Sequence, residues 1–409
     1  MLIGIDSRRG IGSGIGRAGQ LLLRSLIAAD IYDLLIVTSN AAETQVSLGN
    51  DSRFSRKVDF LEVQDRTFSQ GDLTQLPRLI NRRKVDLFIA PHTFLSPFLT
   101  VPKINSLHDL WFLYYPEWIP DLQSFCARFG SDSMEFVGCV LERFRTLFRP
   151  SPIGRSNLHI SEALRLTASD PVRAFYTALT VLNLESARIV AVPSNFTKNT
   201  VTDCFPEFAE KIRVVPLFSL VGSIPNQKEN EPGFVLNVCK WTARKNLLPL
   251  VEAVRAVRGK GFEMKLVLAG EQGNSEYARA VKRLISQRPY RDFIAAFNKV
   301  SEAELWELYR TAYLSVSPSL YEGFGLPVLE SLANGTPVVA SDIGAHREVA
   351  ADAAVFVKPT AENIASSILA IIRHEKPYDV LQKAGQRRSA EYTIQRSIDD
   401  WGSAIDDAL

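Results

Sequence analysis

Short apolar runs alternate with amphipathic stretches over the first part of the chain. The runs are bounded by turn-forming residues, and the stretches between them repeat apolar positions every three to four residues, as helices do. We predict strands over Leu2–Asp6, Leu34–Thr38, Leu87–Ala90 and Lys103–Leu107, and a helix over Gly19–Ala29. This order of elements is typical of a parallel sheet with helices on its faces.

The same alternation starts again near residue 234 and is more regular there. Strands are predicted over Phe234–Val238, Lys265–Ala269, Ile294–Phe297, Leu314–Pro318, Pro337–Ala340 and Ala354–Val357. Helices are predicted over Leu247–Arg258, Tyr277–Gln287, Glu302–Thr311 and Val328–Ala333. The pattern therefore indicates a second α/β domain with a parallel sheet of its own.

Two domains also agree with the chain length, because 409 residues exceed what one hydrophobic core usually organises. The segment Val221–Gly233 is rich in turn-forming and charged residues and poor in apolar ones, which is typical of an exposed linker. We therefore place the boundary near residue 228, with an N-terminal domain over 1–228 and a C-terminal domain over 229–409.

Two segments depart from the alternation. Residues 123–180 contain helical stretches broken by Arg149-Pro-Ser-Pro-Ile-Gly154, and we interpret this part as an insertion. The last stretch, 391–409, carries one apolar stripe at helical spacing. The stripe consists of Ile394, Ile398, Trp401 and Ile405. We expect a terminal helix there that packs across a domain.

Composition narrows the function classes. Apolar residues make up 46% and charged residues 22% of the chain, so a globular protein with ample core material is expected. A net charge of +2 is too balanced for a nucleic-acid binder. No apolar stretch approaches the roughly 18 residues of a membrane span, so any membrane attachment would be peripheral. The scattered cysteines indicate a reducing, cytoplasmic environment without disulfides or structural zinc.

The most informative segment lies between residues 317 and 341. A predicted strand ends at Pro318 and leads to a loop with Glu322 and two glycines, and Pro327 suits the first turn of the next helix. A helix N-terminus at the carboxyl edge of a parallel sheet presents unpaired N–H groups and a positive partial charge, so it can hold a diphosphate. Glu330 follows two turns later, where it can contact another part of one extended ligand. For Glu330 alone, a solvated helix carboxylate is the equal alternative.

Glu322, seven intervening residues and Glu330, set in Glu-Gly-Phe-Gly-Leu-Pro, closely resemble the E-x7-E signature of glycosyltransferase family 4, whose members have the GT-B fold. The resemblance covers nearly the whole chain. It implies an α/β chain with two Rossmann-like domains whose parallel sheets face a central cleft. It also implies that Glu322 contacts hydroxyls of the donor sugar and that Glu330 holds the ribose hydroxyls. The backbone of Phe324, Gly325 and Leu326 would hold the diphosphate and sugar.

A basic strand end is the second candidate site. Lys240 and Lys245 follow the first predicted strand of the second domain. Cations there could neutralise the charge on a departing nucleotide diphosphate, and a solvated basic turn is the alternative. The stretch is similar to a family motif in which an arginine and, five residues later, a lysine grip the diphosphate. Lys245 matches the lysine, and Lys240 stands at the arginine position, where it keeps the charge without the planar fork.

His108 also follows a predicted strand and precedes Asp109. A lone histidine is more often structural than catalytic. The surrounding sequence, however, resembles the His-Asp element of the family, whose histidine lies beside the donor sugar and supports catalysis. Asp109 is then its orienting or structural neighbour.

The glycine-rich opening contains Gly14-x-Gly16-x-x-Gly19, which could be mistaken for a dinucleotide fingerprint. That fingerprint needs its first glycine directly after the strand, whereas residues 7–13 separate Asp6 from Gly14. The stretch is similar to the flexible first loop of the family, in which glycine amides close over the donor phosphates and Arg17 begins the helix.

The stretch that contains Val300 resembles the family loop whose backbone reads the nucleotide base, and an ordinary helix start is the alternative.

No Asp-x-Asp triplet is present to clamp a metal against a diphosphate. We therefore expect metal-independent transfer, with the nucleotide sugar as co-substrate and no cofactor. The resemblance implies retention of the anomeric configuration, with Lys245, Lys240 and the helix N-terminus stabilising the departing phosphate.

The Gly-Phe-Gly-Leu-Pro form of the loop is frequent in family members that use GDP-mannose, so transfer of mannose from GDP-mannose is the leading hypothesis. UDP-glucose and UDP-N-acetylhexosamines stay open as donors. We expect a glycan or lipid-linked saccharide acceptor in polysaccharide or O-antigen biosynthesis.

The basic aromatic stretch 143–149 is a candidate for peripheral contact with the inner face of a membrane, and a solvated helix face is the alternative. Two rival classes stay open, namely another sugar-nucleotide enzyme on this fold, such as a 2-epimerase or hydrolase, and a silent sugar-nucleotide-binding protein.

Overall fold

The computed structural model describes residues 1–8, 14–48, 58–64, 68–92, 96, 98–130, 133–148, 157–220 and 233–409. The chain divides into two compact units, Met1–Pro216 together with Gln395–Leu409, and Leu217–Ile394. The predicted boundary near residue 228 and the linker residues 221–232 lie outside the described residues. The same holds for residues 9–13 of the glycine-rich opening and for the predicted helix break at residues 149–154.

The described part of the first unit is built around a parallel sheet. Its strands are β1 (Leu2–Asp6), β2 (Asp33–Thr38), β3 (Val58–Glu62), β4 (Leu87–Ala90), β5 (Lys103–Ser106), β6 (Ile189–Val192) and β7 (Ile212–Val214). The strand order is β3-β2-β1-β4-β5-β6-β7, and every pairing is parallel. Strands β1, β2 and β4 are apolar runs buried on both faces, as expected where helices cover a parallel sheet.

Helices connect these strands. They are α1 (Gly14–Ala29), α2 (Ala41–Leu48), α3 (Gln70–Arg82), α4 (Trp111–Tyr114), α5 (Leu122–Phe129), α6 (Ser133–Leu147), α7 (Leu158–Leu166), α8 (Pro171–Ser186) and α9 (Asn195–Cys204). Helix α1 begins at Gly14 rather than at the predicted Gly19. Glycine costs little stability in a first turn, where the N–H groups have no partner within the helix.

The described residues of the predicted insertion 123–180 are mostly helical and belong to the core of the first unit. Helix α8 is buried along almost its whole length. Aromatic rings of α5, α6 and α8 surround Phe68, with ring centroids 4.9 Å away for Phe129, 5.2 Å for Phe136 and 5.2 Å for Phe175. Edge and tilted arrangements of this kind stabilise a core beyond the area that they bury.

The end of the chain returns to the first unit as helix α17 (Ile394–Ala408), within the predicted stretch 391–409. Trp401 and Ile405 pack into the same hydrophobic cluster as residues of α1 and of β1. The Ser25 hydroxyl lies 2.9 Å from that of Ser397, and an ion pair of 2.7 Å joins Arg213 to Asp407. The final helix therefore closes the core of a unit that begins almost 400 residues earlier.

The second unit is a separate α/β unit around a parallel sheet. Its strands are β8 (Phe234–Val238), β9 (Lys265–Ala269), β10 (Ile294–Phe297), β11 (Leu314–Ser317), β12 (Val338–Ser341) and β13 (Ala354–Val357). Its helices are α10 (Leu247–Arg258), α11 (Glu276–Ile285), α12 (Glu302–Thr311), α13 (Leu326–Ala333), α14 (Gly344–Ala350), α15 (Ala361–Ile372) and α16 (Tyr378–Ser389).

The strand order of the second unit is β10-β9-β8-β11-β12-β13. Strand β8 pairs with β9 on one side and with β11 on the other, so the direction of chain progression reverses between β8 and β11. In open α/β sheets, ligands bind outside the carboxyl ends of the strands at such a point. A ligand-binding site is therefore expected at the loops that follow β8 and β11.

Candidate active site at the carboxyl edge of the second sheet

The loop from Pro318 to Gly325 joins strand β11 to helix α13. Gly325 is the N-cap of the helix and has φ +101°, a left-handed conformation that glycine adopts without a Cβ penalty. Pro327 occupies the first helical turn, as the sequence predicts. We call residues 322–326 the donor loop, after the role that the sequence predicts for them.

One contact joins strands β8 and β11 near their carboxyl ends, and a second joins the loops that follow them. The Asn237 side-chain amide, at the end of β8, donates a 2.8 Å hydrogen bond to the Val316 carbonyl in β11. The Leu320 backbone N–H donates a 2.7 Å hydrogen bond to the Arg244 carbonyl. The basic turn Ala243–Lys245 is therefore held directly beside the donor loop.

Glu322 is buried in this place, with 8% of its surface exposed, and the Lys245 ammonium donates to its carboxylate. Burial by itself raises the pKa of Glu322. The positive charges of Lys245 and Arg244 outweigh that effect and lower the pKa to about 2. The carboxylate is therefore ionised at every physiological pH and available as a hydrogen-bond acceptor.

Glu330 lies on α13 with only 2% of its surface exposed. The Tyr309 hydroxyl donates a 2.8 Å hydrogen bond to its carboxylate. Between the two glutamates, Phe324 and Leu326 are buried, and the Phe324 ring meets the Tyr392 ring edge-on at 5.7 Å. The two carboxylates thus belong to one rigid loop-and-helix segment rather than to a solvated helix face.

His346 on α14 is a part of this site that the sequence analysis does not single out. It is fully buried, and its Nδ1 lies 3.1 Å from the Ser341 carbonyl. Burial is the main cause that lowers its pKa, to about 4, so the ring is neutral near pH 7. A single histidine within Gly344–Ala350 has no sequence signal that separates it from an ordinary core histidine.

The predicted donor-binding residues Lys240 and Val300 have contacts of their own. Lys240 forms a 2.6 Å ion pair with Glu271, and about a third of its side chain is exposed. Val300 precedes Ser301, which caps helix α12 through a capping box with Glu304. Val300 is partly buried against the core.

The predicted site residues of the first unit lie at the carboxyl edge of the first sheet. His108 follows β5, is half-buried, and places Nε2 2.8 Å from the Pro91 carbonyl. Burial lowers its pKa. Gly14 and Gly16 lie in the first turn of α1, so the prediction that they belong to a flexible loop before the helix is wrong. The apolar face of α1 extends the helix to this point.

A charged cluster that the sequence analysis did not identify lies at the end of β1. Arg8 donates to Asp6 at 2.7 Å and also pairs with Asp72, and His92 Nε2 lies 3.4 Å from the Asp6 carboxylate. Burial raises the pKa of Asp6, but Arg8 and His92 outweigh it and hold that pKa well below its usual range. The only sequence signal was the position of Asp6 at a strand end.

Neither a metal centre nor a membrane span is found in the described ranges. Among those residues, no three His, Cys, Asp or Glu side chains are grouped so that they could hold a metal ion. No helix within the same ranges combines the length and the apolar character needed to cross a bilayer.

Comparison with known proteins gives this site a context. Residues 223–388 match the family model described as Glycosyl transferases group 1. Over 190 residues the chain is 27% identical to the O-antigen chain mannosyltransferase RfbU of Salmonella typhimurium, which covers 46% of this chain and 52% of that protein. Over 224 residues it is 25% identical to the O-antigen chain mannosyltransferase B of Escherichia coli, covering 52% and 58% respectively. The chain thus spans little more than half the length of these relatives.

A solved structure extends the likeness to the whole chain. The sucrose-phosphate synthase from Thermosynechococcus elongatus superposes with a TM-score of 0.67 at 17% identity, covering 99% of this chain and 98% of that one. At this identity the likeness concerns the fold alone. By these comparisons residues 223–388 are similar to the glycosyl transferases of group 1, and the whole chain has the GT-B fold with two Rossmann-like domains.

Proposed function

We propose that the chain is a retaining glycosyltransferase of family 4 that transfers mannose from GDP-mannose to a saccharide acceptor. The observation that carries the proposal is the buried Glu322 carboxylate, held ionised by Lys245 at a glycine-rich turn between a strand and a helix. A fixed carboxylate can accept hydrogen bonds from sugar hydroxyls at a place from which water is excluded.

The remaining groups of the site fit the other parts of a nucleotide sugar. Helix α13 begins at the carboxyl edge of the sheet with the positive end of its dipole toward the loop, and the left-handed Gly325 lets the backbone approach a diphosphate closely. Glu330 supplies a buried acceptor for the ribose hydroxyls. Together they suit a ligand with a sugar at one end and a nucleoside at the other.

In the proposed step, the bond between the anomeric carbon and the diphosphate oxygen breaks. The acceptor hydroxyl oxygen forms its bond to that carbon on the same face, and its proton passes to the departing diphosphate. Lys245 and the α13 N-terminus neutralise the negative charge that builds up on this leaving group. Glu322 positions the sugar and does not attack it.

Mannose as the transferred sugar is supported by the Gly-Phe-Gly-Leu-Pro loop and by the mannosyltransferase names of the two relatives above. The same relatives act on O-antigen chains by their names, which supports a glycan or lipid-linked saccharide as acceptor. Glucose or an N-acetylhexosamine carried by UDP is the second candidate donor, because the protein groups described above also suit those ligands.

The proposal is tested by a panel of nucleotide sugars. A ligand that binds only the folded protein raises its melting temperature, so GDP-mannose should stabilise the chain more than GDP-glucose, UDP-glucose or UDP-N-acetylglucosamine. Transfer to lipid-linked oligosaccharide, followed by NMR of the product anomer, should show retention, and activity should survive EDTA. Donor turnover without acceptor would instead indicate an epimerase or hydrolase, and binding without turnover a silent protein.

A further inference from the structure

We propose that His346 is a positioning residue that fixes the donor loop against the sheet. The consequence for donor affinity rests on the function proposed above, whereas the effect on the loop does not. His346 is fully buried and its ring packs against Gly325, so its direct effect is on the backbone of the loop.

The imidazole ring packs directly against Gly325. A Cβ added to Gly325 would lie 2.8 Å from Cδ2 and 3.4 Å from Nε2 of His346. The ring therefore occupies the space that any side chain at position 325 would need. Gly325 is the residue at which the donor loop turns into α13, so the ring supports the loop at its point of sharpest turning.

Hydrogen bonds fix the ring on two strand ends. Nδ1 lies 3.1 Å from the Ser341 carbonyl at the end of β12, and this carbonyl can only accept, so Nδ1 carries the proton. Nε2 is then the acceptor of the neutral ring and faces the Ser317 hydroxyl, 3.4 Å away at the end of β11. One side chain thus joins the donor loop to both strands that flank it.

The charge state of His346 suits this position. The ring lies close enough to Glu322 and Lys245 for both charges to affect its pKa. A neutral ring supports the loop without adding a third charge to the buried ion pair, which a lysine or arginine at position 346 would do. Loss of the ring should let the donor loop move. The Glu322 carboxylate and the α13 N-terminus would then no longer keep a fixed position relative to each other.

The test compares His346→Ala with Ile368→Ala in the full chain. Ile368 is also fully buried in the second unit, on α15, and its hydrophobic cluster does not include Phe324 or Leu326 of the donor loop, so it serves as a control for general destabilisation. Hydrogen exchange of the amides in residues 323–326 reports on the loop. Titration calorimetry with GDP-mannose and with UDP-glucose, and donor KM and kcat, report on the ligand.

We expect His346→Ala to speed amide exchange in the donor loop and to raise the donor Kd and KM on the order of tenfold, with kcat changed much less. Ile368→Ala should lower the melting temperature without either effect. His346→Asn, whose amide can still donate to the Ser341 carbonyl, should recover part of the loss. Histidine NMR of the wild type should show the neutral Nδ1–H tautomer of His346.

Loop exchange in His346→Ala that equals that of Ile368→Ala would overturn the proposal, and so would a wild-type Nε2–H tautomer. If the wild type binds no nucleotide sugar, the proposed function fails, but the comparison of loop exchange still decides the role of His346. If the wild type binds GDP-mannose and His346→Ala binds it equally well, the positioning role fails and the proposed function stands.

Discussion

Lys245 and Glu322 lie 77 residues apart in the chain and form a buried ion pair between the loops that follow β8 and β11. The two strands are neighbours in the sheet, so the pair lies where the order of strands reverses. The arrangement keeps a carboxylate ionised in a place that would otherwise favour its neutral form.

Breaking this pair from either side should destabilise the second unit. We expect Glu322→Gln and Lys245→Met each to cost about 3 kcal/mol, because each leaves one buried charge without a partner. The double variant should lose less than the sum of the two, as measured by calorimetric melting. Lys240→Met is the matched control, since its pair with Glu271 is partly exposed and worth about 0–1 kcal/mol. Equal losses at Lys245 and Lys240 would contradict the account.

Gly325 should tolerate no side chain. We expect Gly325→Ala to destabilise the unit by about 3 kcal/mol, since it combines a left-handed conformation with a clash against His346. Gly261→Ala isolates the first effect, because Gly261 has φ +90° and nothing within 4 Å of an added Cβ; it should cost about 1–2 kcal/mol. The two melting temperatures are compared directly. A cost at Gly325 no larger than that at Gly261 would show that the His346 ring gives way.

Acid should destabilise the second unit through His346. Its pKa is about 4 in the folded chain and about 6.5 in an unfolded one. The neutral ring therefore contributes its full stabilisation above pH 6.5, and this stabilisation is lost as the pH falls toward 4. Over this range the free energy of unfolding should fall by about 3 kcal/mol. Glu322, whose pKa is about 2, lowers the free energy of unfolding further only below about pH 4.5.

Melting temperatures of the wild type and of His346→Asn between pH 7 and pH 4.5 test this prediction. The melting temperature of the variant should depend less on pH than that of the wild type. Any contribution of His108 in the first unit is the same in both proteins and does not affect the comparison. His374→Asn, at an exposed position with φ 58° that asparagine also accepts, should follow the wild type. A wild-type slope in His346→Asn would rule out His346 as the titrating group.

The terminal helix should be needed for the first unit. Trp401 is 7% exposed within the cluster that includes Leu22 and Ile5. We expect Trp401→Ala to cost about 3–5 kcal/mol of stability. Ile394→Ala, on the same helix but 39% exposed, should cost much less. Similar losses in the two variants, followed by calorimetry, would mean that α17 does not complete this core.

Much of the strand and helix pattern could be predicted because buried parallel strands are short, continuous apolar runs. Strands β4, β8 and β9 have the predicted bounds for this reason. Strand β3 was not predicted, since it lies at the sheet edge, is only partly buried, and carries charged residues. The short β7 gives too little periodicity to distinguish it from a loop.

The candidate site could be predicted only in part. Position at a strand end marks Glu322, Lys245 and His108, because topology alone brings such residues to a sheet edge. Direct contacts depend on side chains that are distant in sequence. The sequence pattern therefore predicts a diphosphate contact for Lys245 but not its ion pair with Glu322, and nothing in the sequence indicates that His346 packs against Gly325.

The central claim is that Glu322 holds the sugar of a nucleotide-sugar donor. Titration calorimetry of wild type and Glu322→Gln with GDP-mannose and with GDP tests it most directly, because GDP lacks the group that Glu322 would contact. We predict that the wild type binds GDP-mannose more tightly than GDP. In Glu322→Gln, GDP-mannose affinity should fall about tenfold or more toward that of GDP, while GDP affinity changes little. Equal loss for both ligands, or no loss for either, would contradict the account.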